Sequence, residues 1–391
     1  MPLASPTGAA GVGGCGYRGR VTDDILAAVA DGVGHATLNR PKALNALSFA
    51  MLRELAGVMK AWVDDPEVGL VVLDGAGERG FSAGGDIREL RDFALEGRQE
   101  EAQAFFRAEY RLDDLIAEFP KPVVALMDGI TMGGGIGLTG HATVRVVTER
   151  SRLAMPETRI GFTPDVGGSY LLSRAPGELG TYLGLNAATM DAADAIHAGF
   201  ADVLVPSEHL GHLVQALAER ADPGTPAEIV RLFDETPGQS RLALKRDWID
   251  ACYSASTVAG IIERLRALAA GERVGGVAAA ESADPDAAAN AASAADELEA
   301  LSPTGLTFTL AAIRRARTLP ELRDVFEQEF RLVTWFMRQH DLLEGIRAQV
   351  VDKDRNPKWS PASLAEVDAG LVQRVLTEAV AEPVWADRPA A

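Results

Sequence analysis

Three consecutive glycines between an apolar strand and a short helix constrain this chain more than any other feature. Residues 121–168 read KPVVALMDGITMGGGIGLTGHATVRVVTERSRLAMPETRIGFTPDVGG. Residues 122–127 have strand composition and are closed by Asp128-Gly129. Gly133, Gly134 and Gly135 follow, then residues 136–141, which suit a short helix, and 144–148, a second strand. Without Cβ atoms, such a turn lets the backbone approach a ligand closely and take positive φ. The first N–H groups of a helix lack partners within it and point outward, with the positive end of the dipole behind them. Two uses fit this stretch equally well: tight packing of helix on strand, or N–H groups that hold an oxyanion. Two carboxylates, Glu157 and Asp165, lie downstream in a Pro/Gly-rich loop.

A second junction of the same kind precedes the first. Residues 68–73 (VGLVVL) are apolar apart from Gly69, the pattern of a strand buried on both faces. Then FSAGGDI, residues 81–87, repeats the order of strand end, glycine pair and helix start. Two such junctions can supply two donors to one oxyanion. Further upstream, 25–30 and 35–38 read as a hairpin around Asp31-Gly32. Ser48 is placed to cap a helix running to about Val63, with Met51, Leu52, Leu55, Val58, Met59 and Trp62 at helical spacing. Residues 101–119 predict a longer helix of mixed charge. Strand and helix signals alternate to about residue 205, which predicts an α/β core.

Beyond residue 210 only helical signals remain, at 213–221, 226–233, 306–317 and 319–344, ending in a polar segment at 352–361. Residues 278–296, AAAESADPDAAANAASAAD, are low-complexity and predict an exposed insertion without chemistry. The chain thus divides into a leader (1–20), a core carrying the site (21–210) and a helical C-terminal region (211–391).

The 391 residues carry a net charge of −18, which argues against nucleic-acid binding by bulk electrostatics. No apolar run reaches the length of a membrane span. The first 20 residues lack the apolar stretch of a secretory signal, and their glycines argue against the amphipathic helix of a transit peptide despite Arg18 and Arg20. The G-x-G-x-x-G letters at 11–16 have no strand before them and no helix pattern after them, so a disordered leader is expected. Two cysteines, Cys15 and Cys252, cannot form a disulfide framework, and six scattered histidines give no zinc-ligand spacing. These features predict a reducing, cytoplasmic location.

Three segments together carry a family resemblance: FSAGGDI, ITMGGGIGL and AMPETRIGFTPDVGGSYLL. They resemble the crotonase (enoyl-CoA hydratase/isomerase) superfamily. RLVTWFMRQHDLLEGIRAQVVDKDRNPKWSPASL, from Arg331, is similar to the C-terminal pattern of its 3-hydroxyisobutyryl-CoA hydrolase branch, a tail that short hydratases lack. The resemblance spans about residues 25–367. It implies a spiral of ββα turns with two roughly perpendicular sheets and a helical C-terminal region. It also implies an acyl-CoA thioester ligand, no metal, no cofactor apart from the CoA of the substrate itself, and a trimer or pair of trimers.

Carried over residue by residue, the resemblance implies that the backbone N–H groups of Gly85 and Gly134 hold the oxyanion. Glu157 and Asp165 match the two acidic positions that act in catalysis or hold the substrate, and Glu109 matches a further acid that contacts it. Gly137 departs from the enoyl-CoA hydratases, which carry a second catalytic Glu there; glycine cannot transfer a proton. The implied activity is therefore hydrolysis of 3-hydroxyisobutyryl-CoA or a similar short β-hydroxyacyl-CoA. Hydration or isomerisation of an enoyl-CoA, and non-catalytic acyl-CoA binding, are the alternatives. Asp86 is expected to complement a helix dipole, His141 to be a packed histidine, and Lys42 and Arg88 are weaker candidates for the CoA phosphates.

Overall fold

The computed structural model describes residues 23–219, 225–378, 380 and 382–385, so the leader and the glycine motif at 11–16 lie outside the described residues. Strands β1 (Ile25–Ala30) and β2 (Val33–Leu38) form an antiparallel hairpin. Its two turn residues, Asp31 and Gly32, have φ of 50° and 83°, the left-handed pair that a two-residue hairpin turn requires. Helix α1 (Phe49–Val63) starts where Ser48 accepts a hydrogen bond from the Met51 N–H, and it buries the six apolar residues that its spacing predicts.

β3 (Leu70–Gly75) pairs parallel with β2, and α2 (Ile87–Leu95) and α3 (Gln99–Ala117) follow. β4 (Val123–Met127) pairs parallel with β3. β5 (Ile130–Met132) then leaves this sheet and runs into α4 (Gly134–Gly140). β6 (Val144–Val147) returns to β4, whereas β7 (Arg152–Ala154) pairs with β5 as a separate two-stranded sheet. After α5 (Gly168–Arg174), α6 (Leu179–Asn186) and α7 (Ala192–His197), β8 (Val203–Leu204) closes the larger sheet. Its order is β1-β2-β3-β4-β6-β8, parallel throughout after the hairpin.

The unbroken apolar runs follow from burial on both faces. Val71, Leu73, Val123, Ala125 and Met127 face the main core, which includes α1 and α3. Their neighbours Leu70, Val72, Val124 and Leu126 point the other way. There they meet α8 (Leu210–Glu219) and α9 (Pro226–Arg231) through Leu213, Leu217, Ile229 and Val230.

Beyond α9 the C-terminal region continues with α10 (Arg241–Tyr253), α11 (Val258–Ala269), α12 (Ala287–Ala300), α13 (Pro303–Ala316), α14 (Leu322–Phe336), α15 (His340–Ile346) and α16 (Ala369–Thr377). The Ala-rich stretch is not an exposed insertion. Ala287, Ala291, Ala294, Ala295 and Leu298 recur at helical spacing, and α12 buries them with α11 as its closest partner. Small side chains make a smooth face that lets the two helices approach. At its start Asp284 is buried and accepts hydrogen bonds from Trp248 Nε1 at 2.9 Å and Asn290 Nδ2 at 2.8 Å. Low complexity concealed a stripe with the period of a helix.

Candidate active site

The two glycine junctions meet side by side. Between β5 and α4 the chain turns at Gly133, with φ 49° and ψ −122°, a conformation that disfavours any side chain. Gly84 has φ 96°, and a Cβ there would lie 2.9 Å from Met132 O and 3.1 Å from the Gly134 nitrogen. Only glycines permit so close an approach. Among the described residues neither the Gly85 nor the Gly134 N–H has a hydrogen-bond partner. Both residues line a cavity with about 850 Å³ of empty space out to its mouth, together with Glu109, Glu157 and Asp165. Its roof comes from the C-terminal region, through Met337, Leu342 and Ile346. The sequence-predicted residues are thus brought together in one cleft.

Glu157 opens a single helical turn, Glu157–Ile160, directly after Pro156 and β7. It is buried, and its Oε2 has no partner, so nearby N–H groups do not satisfy the whole carboxylate. Burial, and then the neighbouring Asp165, push its carboxyl well above the usual carboxylate range. A carboxylate so placed is a stronger base than one in water. Glu109, on α3, is buried rather than solvated, with Oε1 unpartnered beside Gly134. Burial, Asp165 and Glu157, in that order, raise its carboxyl well above the ordinary value. Asp165 is raised by burial to about 7, against the hydrogen bond that Tyr110 Oη donates to its Oδ2 at 2.8 Å.

Three contributors escaped the sequence reading. Tyr110 is fully buried, stacked on Phe326 with centroids 5.4 Å apart, which aims its hydroxyl at Asp165. Glu329, on α14, accepts hydrogen bonds from the Gly167 N–H at 2.7 Å, the Ser169 N–H at 2.9 Å and the Ser169 hydroxyl at 2.5 Å. It thereby ties down the loop that follows Asp165, and burial lifts it to about 8. Asp113 lies on α3 four residues beyond Glu109, a spacing that puts both on one helix face and was readable in the sequence. No local signal announced Glu329, because its partners lie 160 residues or more away.

The remaining residues separate cleanly. Asp86 caps α2, accepting from the Arg88 N–H and pairing with Arg40 at 3.3 Å. His141 is packed, with Nε2 3.2 Å from Val166 O, and burial lowers it to about 4. It is therefore neutral at pH 7 and donates to that carbonyl. Val166, beside Asp165, has φ 54°, a strained conformation for a β-branched residue that costs about 1–3 kcal/mol. Lys42 and Arg88 are not among the residues lining the cleft, whereas Arg159 is. Position 137 is closed: a Cβ at Gly137 would lie 2.7 Å from Asp113 Oδ2 and 2.8 Å from Val166 Cβ.

Residues 33–376 match the enoyl-CoA hydratase/isomerase family. The chain is 38% identical over 357 residues to the mitochondrial 3-hydroxyisobutyryl-CoA hydrolase of Gallus gallus, covering 89% of this chain and 87% of that protein. It is 40% identical over 342 residues to the enzyme of the same name from Mus musculus, covering 85% and 83%. Among solved structures, a carnitinyl-CoA dehydratase from Mycobacterium thermoresistibile superposes with a TM-score of 0.84 at 42% identity, covering 94% of this chain and 99% of the other. An enoyl-CoA hydratase from Rhodobacter sphaeroides gives 0.79 at 41% identity, covering 90% and 97%. The mitochondrial designation of the curated relatives overturns the cytoplasmic location expected from cysteine usage and the leader; two cysteines speak to redox state, and a reducing interior is not particular to the cytoplasm. The fold, the paired glycine junctions and the match over most of its length agree: the chain belongs to the enoyl-CoA hydratase/isomerase family.

Proposed function

We propose that this protein hydrolyses the thioester of 3-hydroxyisobutyryl-CoA, releasing the hydroxy acid and CoA. The relatives of that name, at 38–40% identity over most of both chains, support the substrate class. The observation that carries the mechanism is the meeting of two unpartnered amides and the unpartnered Glu157 Oε2 in one cleft.

In this reading the thioester oxygen sits between the Gly85 and Gly134 N–H groups, which stabilise the negative charge that develops as the carbonyl is attacked. Glu157 acts by one of two routes that this arrangement allows. As general base, it takes a proton from water while the hydroxide oxygen bonds to the carbonyl carbon. The tetrahedral oxyanion then collapses, and CoA leaves as a thiolate that recovers the proton from Glu157. As nucleophile, Glu157 displaces CoA to form a mixed anhydride, which water then cleaves. Asp165, with Glu109 nearby, accepts a hydrogen bond from the substrate 3-hydroxyl and sets the acyl orientation. CoA enters as part of the substrate, and neither route calls on a metal or further cofactor. A role in valine breakdown and a trimeric or hexameric assembly belong to the same proposal, supported by the family resemblance; light scattering tests the latter.

The deciding experiment measures thiol release from 3-hydroxyisobutyryl-CoA by wild type and Glu157→Gln. Release by the first and loss of most activity in the second is expected; a near wild-type rate in the variant refutes the mechanism. After a single turnover in ¹⁸O-labelled water, label in the Glu157 carboxyl would establish the anhydride route, because the general-base route never opens that carboxyl. The names of the two solved relatives, a carnitinyl-CoA dehydratase and an enoyl-CoA hydratase, favour hydration or dehydration as the second reading. Closed position 137 opposes the two-glutamate form of that chemistry. Loss of ultraviolet absorbance from a conjugated enoyl-CoA would support it.

A further inference from the structure

Helix α3 lays two carboxyls, four residues apart, along two glycines of α4 that are three residues apart. Glu109 abuts Gly134 and Asp113 abuts Gly137. Glu109 reaches the cleft, but Asp113 does not line it and is 0% exposed. Neither oxygen of Asp113 has a hydrogen-bond partner. An ionised carboxylate needs donors or a cation when it leaves water, and here it would have neither. The charged and titratable groups facing it offer only repulsion: Glu109 and Asp114 on its own helix, Asp165 on the loop after Glu157, and Glu329 on α14. Arg323, also on α14, is engaged by Asp114 through two hydrogen bonds of 2.6 and 2.8 Å. α4 itself carries no titratable side chain, and His141, which caps its C-terminal end, is neutral.

We propose that Asp113 is a positioning residue of this site: a carboxylic acid that keeps its proton, fills the space opposite Gly137, and keeps a further negative charge away from the helix that carries the Gly134 amide. The proposal rests on the reading of Gly85 and Gly134 as oxyanion donors. A charge on Asp113 would oppose the oxyanion through the low-dielectric interior, so its ionisation switches the site off as pH rises. The same side chain explains why position 137 carries no second carboxylate: the volume is already occupied.

Two substitutions test this. Asp113→Asn supplies an amide of the same shape with no proton to lose, and Asp113→Leu supplies similar volume with no polar atom. In the pH profile of kcat/KM for thiol release, the alkaline fall of the wild type should move upward by about one pH unit or more in both. A residue that only packs would lower the rate at every pH alike. Infrared spectra at pH 7 give a readout independent of turnover: the band of protonated carboxylic acids should lose one component in Asp113→Asn. Superimposable pH profiles from an active wild type, or identical infrared spectra, overturn the proposal. Wild type that releases no thiol while the infrared component is lost refutes the hydrolase reading but leaves the protonated Asp113 standing.

Discussion

The Tyr110–Asp165 hydrogen bond gives the most direct handle on the electrostatics of the cleft. Burial raises Asp165 from an ordinary 3.8 to about 7, while the Tyr110 hydroxyl, 2.8 Å from Oδ2, stabilises the ionised form and limits the rise. A hydrogen bond to a charged group contributes about 1.5–3 kcal/mol, equivalent to about one to two pH units. Tyr110→Phe retains the ring stacked on Phe326 and removes only that bond. If ionised Asp165 must receive the substrate hydroxyl, the acid limb of kcat/KM moves up by about one to two units, and activity at pH 7 falls about 5- to 50-fold. Stability changes with a definite sign. The folded protein holds this proton more tightly than the unfolded chain, so the contribution is fully present below about pH 4 and is lost as pH rises through about 7. In Tyr110→Phe that loss continues to higher pH, widening the drop in Tm between pH 5 and pH 9. Thiol-release profiles and thermal melts in the same buffers measure both. A uniform fall in rate with an unmoved acid limb would show that the hydroxyl does not tune Asp165.

Other consequences follow from the same geometry. Isobutyryl-CoA, lacking the 3-hydroxyl, should turn over far more slowly than 3-hydroxyisobutyryl-CoA, because a buried carboxylate is left unpaired; equal kcat/KM for the two removes the role given to Asp165. Glu157→Gln should melt at a higher temperature than wild type at pH 8, since burial raises that carboxyl and its ionisation opposes folding as pH rises. An unchanged or lower Tm there contradicts the assigned burial cost. Gly137→Ala should lose about 1–3 kcal/mol in chemical denaturation, because its Cβ meets Val166 Cβ and Asp113 Oδ2. A variant as stable as wild type would mean that this contact relaxes freely.

Much of the fold was legible because local chemistry and tertiary need coincide. Ser48, the Asp31-Gly32 turn and the doubly buried run at β3 each carry their own instruction, and each sits where that instruction says. The cleft was legible in its glycines and in Glu157 and Asp165, through the family resemblance rather than through spacing. What stayed hidden depended on distance or on reading composition in place of period. Alanine at residues 287, 291, 294 and 295 makes an interface only when viewed around the helix. Glu109 was singled out by the family resemblance alone; its place on a mixed-charge helix gave no sign of the burial that packing against α4 brings. Tyr110 and Glu329 acquire meaning solely from partners far along the chain.

The bonds from Glu329 to Gly167 and Ser169 also bear on the order of events during synthesis. They join segments 162 and 160 residues apart, and the roof residues Met337, Leu342 and Ile346 come later still. A nascent chain can complete the parallel sheet while the loop bearing Asp165 still lacks its anchor. Closing so long a loop is slow relative to local contacts, so it belongs to the last stages of folding. A partly made chain would therefore expose a carboxylate-lined crevice without a finished catalytic geometry. Thioester cleavage thus reports that the C-terminal helices have docked, and appearance of activity on refolding should lag behind the recovery of secondary structure.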